Sequence, residues 1–473
     1  MLVRIMRHEW RALSSDGLVW AVAAVFGLSI AYGVWNGSRW VSFQRSALHA
    51  AAGEEAARYE GLKSRIAALS VPGTSVSPFA DPRSPTALGA RFGPRYAMLP
   101  PGPLAPLAIG QSDLLPYYFK VSTEARENVV ATAEIENPNR LLAGRFDLAF
   151  VLIYLYPLLV LALSYNMLSA EQEQGILRLT MAQPVSLKTL VAGKVLLRAL
   201  LLVGLVVVFS IAALLATGAT ADPSRLLLWV AVVAAYGAFW FCLSVLVVSF
   251  GGRSATNATV LAGAWLAFVV LTPAMFNLAA TTLYPVPSRV EMIQAMRTAQ
   301  DEANKSGSQA LARFYEDHPD LATGDPAQAM NDFNVVRVAV NDEVERRVRP
   351  VVGRYETQIA SQQKLIDSLR FLSPALLMQG ALNDIAGSGT ERHRAFLAQV
   401  DQYHREWRDY FVPKIFAKAQ IADVESIPRF SYRDEPAGEI ARRVGAAIAA
   451  LLIGAVLMTG PVFGRLRRFP VAG

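Results

Sequence analysis

The chain has 473 residues, of which 53% are hydrophobic and 18% charged, and its formal net charge is +7. This mixture is typical of a membrane protein that also carries sizeable polar regions. The single cysteine, Cys242, lies in an apolar run, which excludes a disulfide framework and a thiolate metal cluster within the chain. The basic residues are dispersed, many of them in short segments beside apolar runs, so the positive charge does not indicate binding of nucleic acid.

Residues 1–16 predict an amphipathic helix, because a helical period separates their apolar and basic side chains. The apolar face holds Val3, Met6, Trp10 and Leu13, and the opposite face holds Arg4, Arg7, His8 and Arg11. Such a helix lies in the membrane interface, with its cations toward anionic headgroups. The alternative is a basic flank to the next segment, and both interpretations put the N-terminus in the cytoplasm.

Six apolar runs follow, each long enough to cross a bilayer as a helix. The first has no small-residue cleavage site at the usual distance, so we expect it to be retained as a transmembrane helix and not removed as a signal peptide. In the interior of the runs Arg198 is the only charged residue, and it lies close enough to the end of its run to snorkel toward the interface.

We therefore predict an all-α polytopic membrane protein with six transmembrane helices and two large, mainly helical extracytoplasmic insertions, after spans 1 and 5. The expected parts are an interfacial helix (1–16), span 1 (17–36), a first insertion (37–146), span 2 (147–168), a cytoplasmic loop (169–189), span 3 (190–216), span 4 (226–250), span 5 (257–284), a second insertion (285–443), span 6 (444–463) and a basic tail (464–473).

The short segments between the runs predict the orientation. Those assigned to the cytoplasm hold Arg4, Arg7, Arg11, Arg178, Lys188, Lys194, Arg253, Arg465, Arg467 and Arg468. The one short segment on the other side, 217–225, holds one Arg and one Asp. This bias follows the positive-inside rule and places both termini in the cytoplasm.

The two insertions differ in character. The stretch 71–116 in the first is too rich in proline for a continuous helix or a central strand, and we expect it to be extended. In the second, 290–315, 327–369 and 390–419 predict long helices, the middle one interrupted or kinked at Pro350.

No catalytic motif is present. The sequence lacks a phosphate-binding loop, HExxH, GxSxG and paired cysteines, so we predict no catalytic residue and no bound metal. His393 and His404 would share a helical face, with His318 elsewhere in the same insertion, but dispersed histidines are more often ordinary side chains than metal ligands. The spans also lack the ionisable groups that an ion-coupled carrier needs, so energy for any transport must come from another chain.

The segment 169–194 is the most patterned loop of the chain. Its order is an acidic turn, a glycine, an apolar helix, a Pro-Val-Ser break and Gly-Lys at the next span. This pattern resembles the coupling loop of ABC-2 type transporter permeases, with Ile176 where the family has Thr and Leu187 where it has a basic residue. The helix at 1–16 is similar to the elbow helix of that family, and six spans match its membrane domain.

The resemblance implies a non-catalytic permease subunit without a cofactor of its own. ATP and Mg would be bound by a dimer of separate ABC ATPase subunits, and a second permease subunit, identical or related, would complete the pathway. The residues expected to contact the ATPase are Glu171, Glu173, Gly175, Ile176, Leu177, Leu179, Pro184, Val185 and Ser186. For each residue alone a structural role is the simpler interpretation: acidic residues favour helix starts, leucines pack, and proline ends a helix.

The stretch 371–407, which begins FLSPALLMQGALNDIAG, resembles a subgroup of these permeases with an uncharacterised extracytoplasmic region, the DUF3526 type. The two resemblances together imply an ATP-driven, exporter-like transporter in a bacterial inner membrane. A second hypothesis is a mechanotransmitting or scaffold subunit that acts on a periplasmic partner without moving substrate through the bilayer. A membrane-bound enzyme is a third class, but no catalytic constellation supports it.

Overall fold

The computed structural model describes residues 2–69, 76, 80–124, 146–217, 222–322 and 326–469. Parts of the predicted first insertion, of the segment 217–225 and of the basic tail lie outside these residues. The α-helices of the described residues are α1 Leu2–Ser15, α2 Gly17–Leu69, α3 Pro85–Ala87, α4 Leu148–Phe150, α5 Tyr156–Ser164, α6 Ser169–Glu173, α7 Ile176–Met181, α8 Leu187–Thr217, α9 Pro223–Val248, α10 Ser254–Trp265, α11 Thr272–Leu283, α12 Arg289–Lys305, α13 Gly307–Asp317, α14 Pro326–Met330, α15 Phe333–Leu369, α16 Pro374–Ala386, α17 Thr390–Phe416 and α18 Ala437–Leu466.

Short π-helical and 3-10 segments interrupt or join these helices. The π-helical segments are Leu88–Phe92, Val151–Leu155 and Leu266–Leu271, and the 3-10 segments are Pro319–Leu321, Arg370–Leu372 and Val424–Ser426. The strands β1 (Arg95–Met98) and β2 (Tyr118–Val121) pair antiparallel, with Arg95 opposite Val121. The described chain is therefore mainly helical with almost no sheet, in agreement with the predicted all-α class.

Six helical stretches among the described residues are long and apolar enough to cross a membrane, which confirms the predicted number of spans and indicates a multi-pass membrane protein. In chain order, spans 1 to 6 contain Val19–Leu69, Leu148–Glu173, Leu187–Leu215, Pro223–Val248, Ser254–Leu283 and Ala437–Leu466. Span 1 does not end where its apolar run ends. It continues as one helix to Leu69, because the sequence that follows is rich in strong helix formers such as Ala, Glu, Arg and Leu.

Spans 2 and 4 form the centre of the bundle. The most apolar window of span 2 is 61% buried and that of span 4 is 44% buried, against 11% for span 5. Trp229, Tyr236 and Trp240 of span 4 and Tyr156 of span 2 are fully buried between the helices. The other spans surround this pair and expose apolar side chains outward, as the lipid-facing helices of a membrane bundle do.

The two ends of the bundle differ. At one end, called the loop end below, buried side chains of α7 and spans 2, 3, 4 and 6 form one apolar cluster around Leu177, and the half-buried Ile5 of α1 packs against it. At the other end, called the domain end, residues from the two predicted insertions contact the bundle: the N–H of Ile109 donates to Asp147 before span 2, and Arg225 of span 4 donates to the carbonyl of Ile385.

Two apolar cores of the described residues lie outside the bundle. The first packs the part of α2 beyond its apolar run and the β1–β2 pair against α17, around Phe396 and Trp407, and so combines residues of both predicted insertions. The second packs α12, α13 and α15 around Phe314. Helix α15 is continuous from Phe333 to Leu369 and is not interrupted at Pro350, which lies on its exposed side.

Candidate functional site: the loop between spans 2 and 3

The loop that carries the predicted contact residues consists of two short helices joined at a glycine. Gly175 has φ of +74°, in the left-handed region, and separates α6 from α7. A Cβ at this position would meet no atom within 4 Å. The backbone conformation, and not a close neighbour within the chain, therefore accounts for a glycine here.

Helix α7 has an inner and an outer face. Leu177 is fully buried and belongs to the same cluster as Val248 of span 4 and Leu466 of span 6. Ile176 and Leu179 are 44% and 73% exposed. The three apolar residues that were predicted to act together are thus divided: Leu177 anchors the loop to the bundle, and the other two face outward.

Both predicted acidic residues have partners inside the chain. Glu171 Oε1 lies 2.5 Å from Lys194 Nζ, and the same ammonium donates to the carbonyl of Met167 at 3.0 Å. Glu173 accepts a hydrogen bond of 2.7 Å from the backbone N–H of Ser254, the first residue of span 5. A carboxylate at a helix start satisfies a free N–H and complements the helix dipole. These contacts connect the loop to spans 3 and 5.

A buried ion network lies directly behind the loop. The sequence suggested that Arg198 snorkels toward the interface, but the side chain is buried and 6% exposed. Its guanidinium contacts the carboxylate of Glu9 and donates to the carbonyl of Leu163. Glu9 is 5% exposed and its Oε2 lies 3.9 Å from Lys194 Nζ. Because Glu9 supplies the counter-charge at that depth, Arg198 has no need to reach water.

Sequence reasoning missed this network, although two signals for it are present. Glu9 lies in the middle of the apolar side of an amphipathic helix, where an acidic residue is costly without a partner. Lys194 and Arg198 are four residues apart and so share one face of span 3. An acid on one apolar face and two bases on another predict a contact between the two helices.

Helix α1 lies against span 3 through its inner side. A Cβ at Gly193 would lie 2.8 Å from Cγ2 of Ile5, so the glycine lets the two helices approach closely. The predicted interfacial residues point away from this contact: Val3 (75%) and Trp10 (45%) are exposed, Arg4, Arg7 and Arg11 are exposed, and Met6 is half-buried. This arrangement leaves one apolar edge and one cationic edge of α1 uncovered by the chain.

The Pro-Val-Ser segment ends the loop. The hydroxyl of Ser186 accepts a 3.2 Å hydrogen bond from the backbone N–H of Thr189, which caps the start of α8. Val185 is half-buried against the cluster around Leu177, and Pro184 is exposed. Of the predicted contact residues, Ile176, Leu179, Pro184 and Ser186 are exposed, and their side chains make no hydrogen bond or ion pair outside the loop within the part of the chain that the structure describes, whereas the exposed Glu173 bonds to span 5.

The histidines show no metal geometry. Within the part of the chain that the structure describes, no group of three or more His, Cys, Asp or Glu side chains is placed to hold a metal ion. His393 and His404 are buried in α17, and Nε2 of His404 lies 2.9 Å from the carbonyl of Glu124. Their surroundings are those of structural side chains.

The comparison with known families gives one match. Residues 289–433 match the model described as "Domain of unknown function (DUF3526)". The match covers less than half of the chain and includes the whole stretch 371–407 on which the resemblance rested. This DUF3526 region thus begins at α12 and ends after α17. No curated protein and no solved structure matches the chain.

Proposed function

We propose that the chain is the transmembrane permease subunit of an ATP-driven, exporter-like transporter of the ABC-2 type. A separate ABC ATPase dimer hydrolyses ATP, and the loop between spans 2 and 3 passes its motion to the membrane helices. The DUF3526 match is consistent with this assignment, because it coincides with the subgroup suggested by the sequence.

The observation that carries the proposal is the contrast between the tip and the base of the loop. Ile176 and Leu179 offer an exposed apolar contact to a partner. Behind them, Leu177, the Glu171–Lys194 pair and the Glu173–Ser254 bond hold the loop onto the bundle. A force applied to the tip is therefore delivered to several spans together.

The roles of the acidic residues change accordingly. Glu171 and Glu173 position the loop, and the ATPase contact falls to Ile176, Leu179, Pro184 and Ser186. In this arrangement Glu9 and Arg198 make α1 part of the moving unit.

The remaining parts of the proposal follow from the sequence. The loop end and both termini face the cytoplasm of a bacterial inner membrane, and the two insertions face the periplasm. The partners are the ATPase dimer, a second permease subunit and the lipid bilayer, with a periplasmic protein as a further partner. ATP and Mg are bound by the ATPase, and nucleic acid is not a ligand.

The test is purification of the tagged chain in mild detergent, with mass spectrometry of the proteins that accompany it. The Ile176→Asp/Leu179→Asp variant should lose an ATPase subunit that the wild type retains, because two charges replace the apolar contact. Gln183→Asp is the matched control, since it adds a charge to an exposed position of the same loop. Equal recovery of the ATPase in both variants would contradict the proposal, as would purification of the wild type without any ATPase.

A second candidate function, mechanotransmission to a periplasmic partner, is favoured by the attachment of the DUF3526 region to the bundle. Helix α16 of this region is buried among the spans, so movement of the spans also moves the insertion. Reconstitution in sealed vesicles separates the two functions. Transport gives ATP-dependent movement of substrate across the vesicle membrane, whereas mechanotransmission needs the periplasmic partner and moves nothing across.

A further inference from the structure

A cleft lies outside the bundle, between three parts of the chain. Its walls are one face of α2, strand β1 with the residues that follow it, and the segment 425–432, which leads toward span 6. Its volume is about 710 Å³, within the range of roughly 300–1,000 Å³ that is typical of small-molecule sites. We call it the α2–β1 cleft. The residues of α2 that line it recur at the spacing of one helical face: Ala52, Glu55, Ala56, Tyr59, Glu60 and Lys63.

The most buried charged side chain of this cleft is Arg95, at the start of β1. It is 5% exposed, and its guanidinium lies over the ring of Tyr59, 3.7 Å from the centroid. Nη1 donates to Oε1 of Glu55 at 2.7 Å. The other oxygen of this carboxylate accepts from the backbone N–H of Tyr96 at 2.8 Å. One face and one edge of the guanidinium are thus fixed by the chain.

The second edge of the same guanidinium has no partner. Nε and Nη2 of Arg95 are buried and make no hydrogen bond to any of the described residues. Their N–H groups lie on one edge of the guanidinium plane, where a planar fork binds both oxygens of a carboxylate. A buried cationic donor without an acceptor is costly, so this edge calls for an acceptor from outside the described chain.

The other charges of the cleft decide the sign of the ligand. Within the described residues, each of the three carboxylates on its walls is already paired with a cation, in the ion pairs Glu55–Arg95, Glu60–Lys63 and Glu425–Lys63. The third cation, Arg429, also pairs with Glu425. The cations have donors to spare, because an ammonium carries three N–H groups and a guanidinium five. The cleft therefore suits an anion, and its balance of three cations and three carboxylates favours one negative charge over many.

Apolar and aromatic side chains form much of the remaining wall. Met98 of β1, Phe430 and Tyr432 are half-buried here. Phe430 packs edge to face against Phe396 and Tyr403 of the core, which holds this wall in place. A wall of this kind accommodates a ring or a short hydrocarbon beside a charged group, as in most small-molecule sites.

From the unpartnered edge of Arg95, the paired carboxylates and the aromatic wall, we propose that the α2–β1 cleft binds a small organic acid. Its carboxylate lies on Nε and Nη2 of Arg95, and its apolar or aromatic portion lies against Met98 and Tyr432. Both nitrogens are covered in this conformation, so the acid enters with a shift of the surrounding side chains. The exposed pair Lys63–Glu425, which bridges two walls at 2.7 Å, opens at little cost.

The position of the cleft connects a bound acid with the bundle. The hydroxyl of Tyr432 donates to Asp434 at 3.3 Å, and the carboxylate of Asp434 lies 4.0 Å from the guanidinium of Arg225 in span 4. The same segment continues into span 6, which begins at Ala437. The site goes beyond the proposed function and does not depend on it.

The test is fluorine NMR of the purified full-length chain in detergent, titrated with 4-fluorobenzoate and with 4-fluorobenzamide as its neutral analogue. The wild type should bind the acid at least about tenfold more tightly, because the carboxylate alone makes two charge-assisted hydrogen bonds to a guanidinium. Inorganic phosphate is added as a competitor. Equal affinity for acid and amide, no binding of the acid, or binding of phosphate in its place would each overturn the proposal.

Two neighbouring positions of α2 provide matched variants. Ala56 and Ala57 are both exposed, but Ala56 lines the cleft and Ala57 does not. Ala56→Asp should weaken binding of 4-fluorobenzoate by about tenfold or more, because it places a negative charge in the cleft. Ala57→Asp should bind it like the wild type. The same affinity in both variants would place the acid elsewhere and refute the site.

Arg95→Lys tests the unpartnered edge itself. It keeps a positive charge beside Glu55 but lacks the planar pair of donors, so affinity for the acid should fall by about tenfold. Retention of the wild-type affinity would show that this edge does not hold the carboxylate. The unfolding temperature checks that the variant folds, and if it does not, the Ala56 and Ala57 variants decide. The titration needs no ATPase, so its failure and that of the proposed coupling are distinguishable.

Discussion

Glu9 and Arg198 are 189 positions apart in the sequence and form an ion pair buried at the loop end of the bundle. Each side chain is about 7% exposed. Because Lys194 on the same face of span 3 also pairs with Glu171, one network joins α1, span 3 and the first helix of the loop. The stability of the loop end should depend on it.

Replacing one partner of this pair should be costly. Glu9→Gln leaves Arg198 buried without its counter-charge, which typically destabilises by about 3–5 kcal/mol. Thermal unfolding of the protein in detergent measures the effect. Glu60→Gln is the control, because it removes an exposed partner of Lys63 in a pair worth about 0–1 kcal/mol. If Glu9→Gln and Glu60→Gln unfold at the same temperature, the network does not stabilise the loop end.

Gly175→Ala should destabilise the loop by about 1–2 kcal/mol, since an L side chain in the left-handed region is strained even where space is available. Gly204 of span 3 is the matched control: a Cβ there also meets no atom within 4 Å, but the backbone is helical. Gly204→Ala should be neutral or slightly stabilising. The two variants are compared by their unfolding temperature and by the rate at which a protease cleaves the loop. If Gly175→Ala has the same unfolding temperature and the same cleavage rate as the wild type, the loop adopts another turn at this position.

The hydroxyl of Tyr236 should contribute to the centre of the bundle. Pro157 has no N–H for the carbonyl of Ile153, and Tyr236 donates to that carbonyl at 2.9 Å. Tyr236→Phe leaves it unpaired and should cost about 1–3 kcal/mol. Tyr156→Phe is the control, because the buried hydroxyl of Tyr156 has no partner and its loss should be neutral or favourable. The same cost for both variants in thermal unfolding would contradict this assignment.

The second insertion should lose stability in mild acid. Burial lowers the pKa of His393 from 6.5 to about 4, so below pH 6.5 the unfolded chain binds a proton that the folded chain does not. Stability therefore falls as the pH decreases from about 6.5 to 4, by at most about 3 kcal/mol for this group. His393→Gln should flatten the dependence of the unfolding temperature on pH. Part of the pH dependence remains in this variant, because burial also lowers the pKa of His404.

The control for this titration is His49→Gln, at an exposed position of α2. It should leave the pH dependence as in the wild type. If His393→Gln and His49→Gln give the same slope between pH 7 and pH 4.5, the neutral state of His393 does not contribute to acid sensitivity.

The sequence predicted those parts of the fold that depend on local pattern. Runs of apolar residues predicted all six spans, and helix formers predicted most of the insertion helices. The burial of helix α16 in the bundle was not predicted, because its apolar stretch of 13 residues is too short for a membrane span. One of its contacts with the spans, the bond from the hydroxyl of Ser373 to the carbonyl of Phe268 in span 5, forms only in the folded chain.

At the candidate site the sequence indicated a polar loop with a short apolar helix, but not the direction in which its side chains face. Helical spacing alone does not tell which side of α7 meets the bundle, so Leu177 and Leu179 could not be assigned to different faces. The partners of Glu171 and Glu173 come from spans 3 and 5, and their proximity is a tertiary property. Long-range ion pairs such as Glu9–Arg198 are least accessible to pattern analysis.

The most direct test of the central claim is ATP turnover by the complex of this chain with its ATPase, reconstituted in lipid nanodiscs. The wild-type chain and Gln183→Asp should stimulate turnover equally, and Leu179→Asp should abolish most of the stimulation while its unfolding temperature stays unchanged. Full stimulation by Leu179→Asp would contradict the claim that the exposed tip of this loop receives the motion of the ATPase.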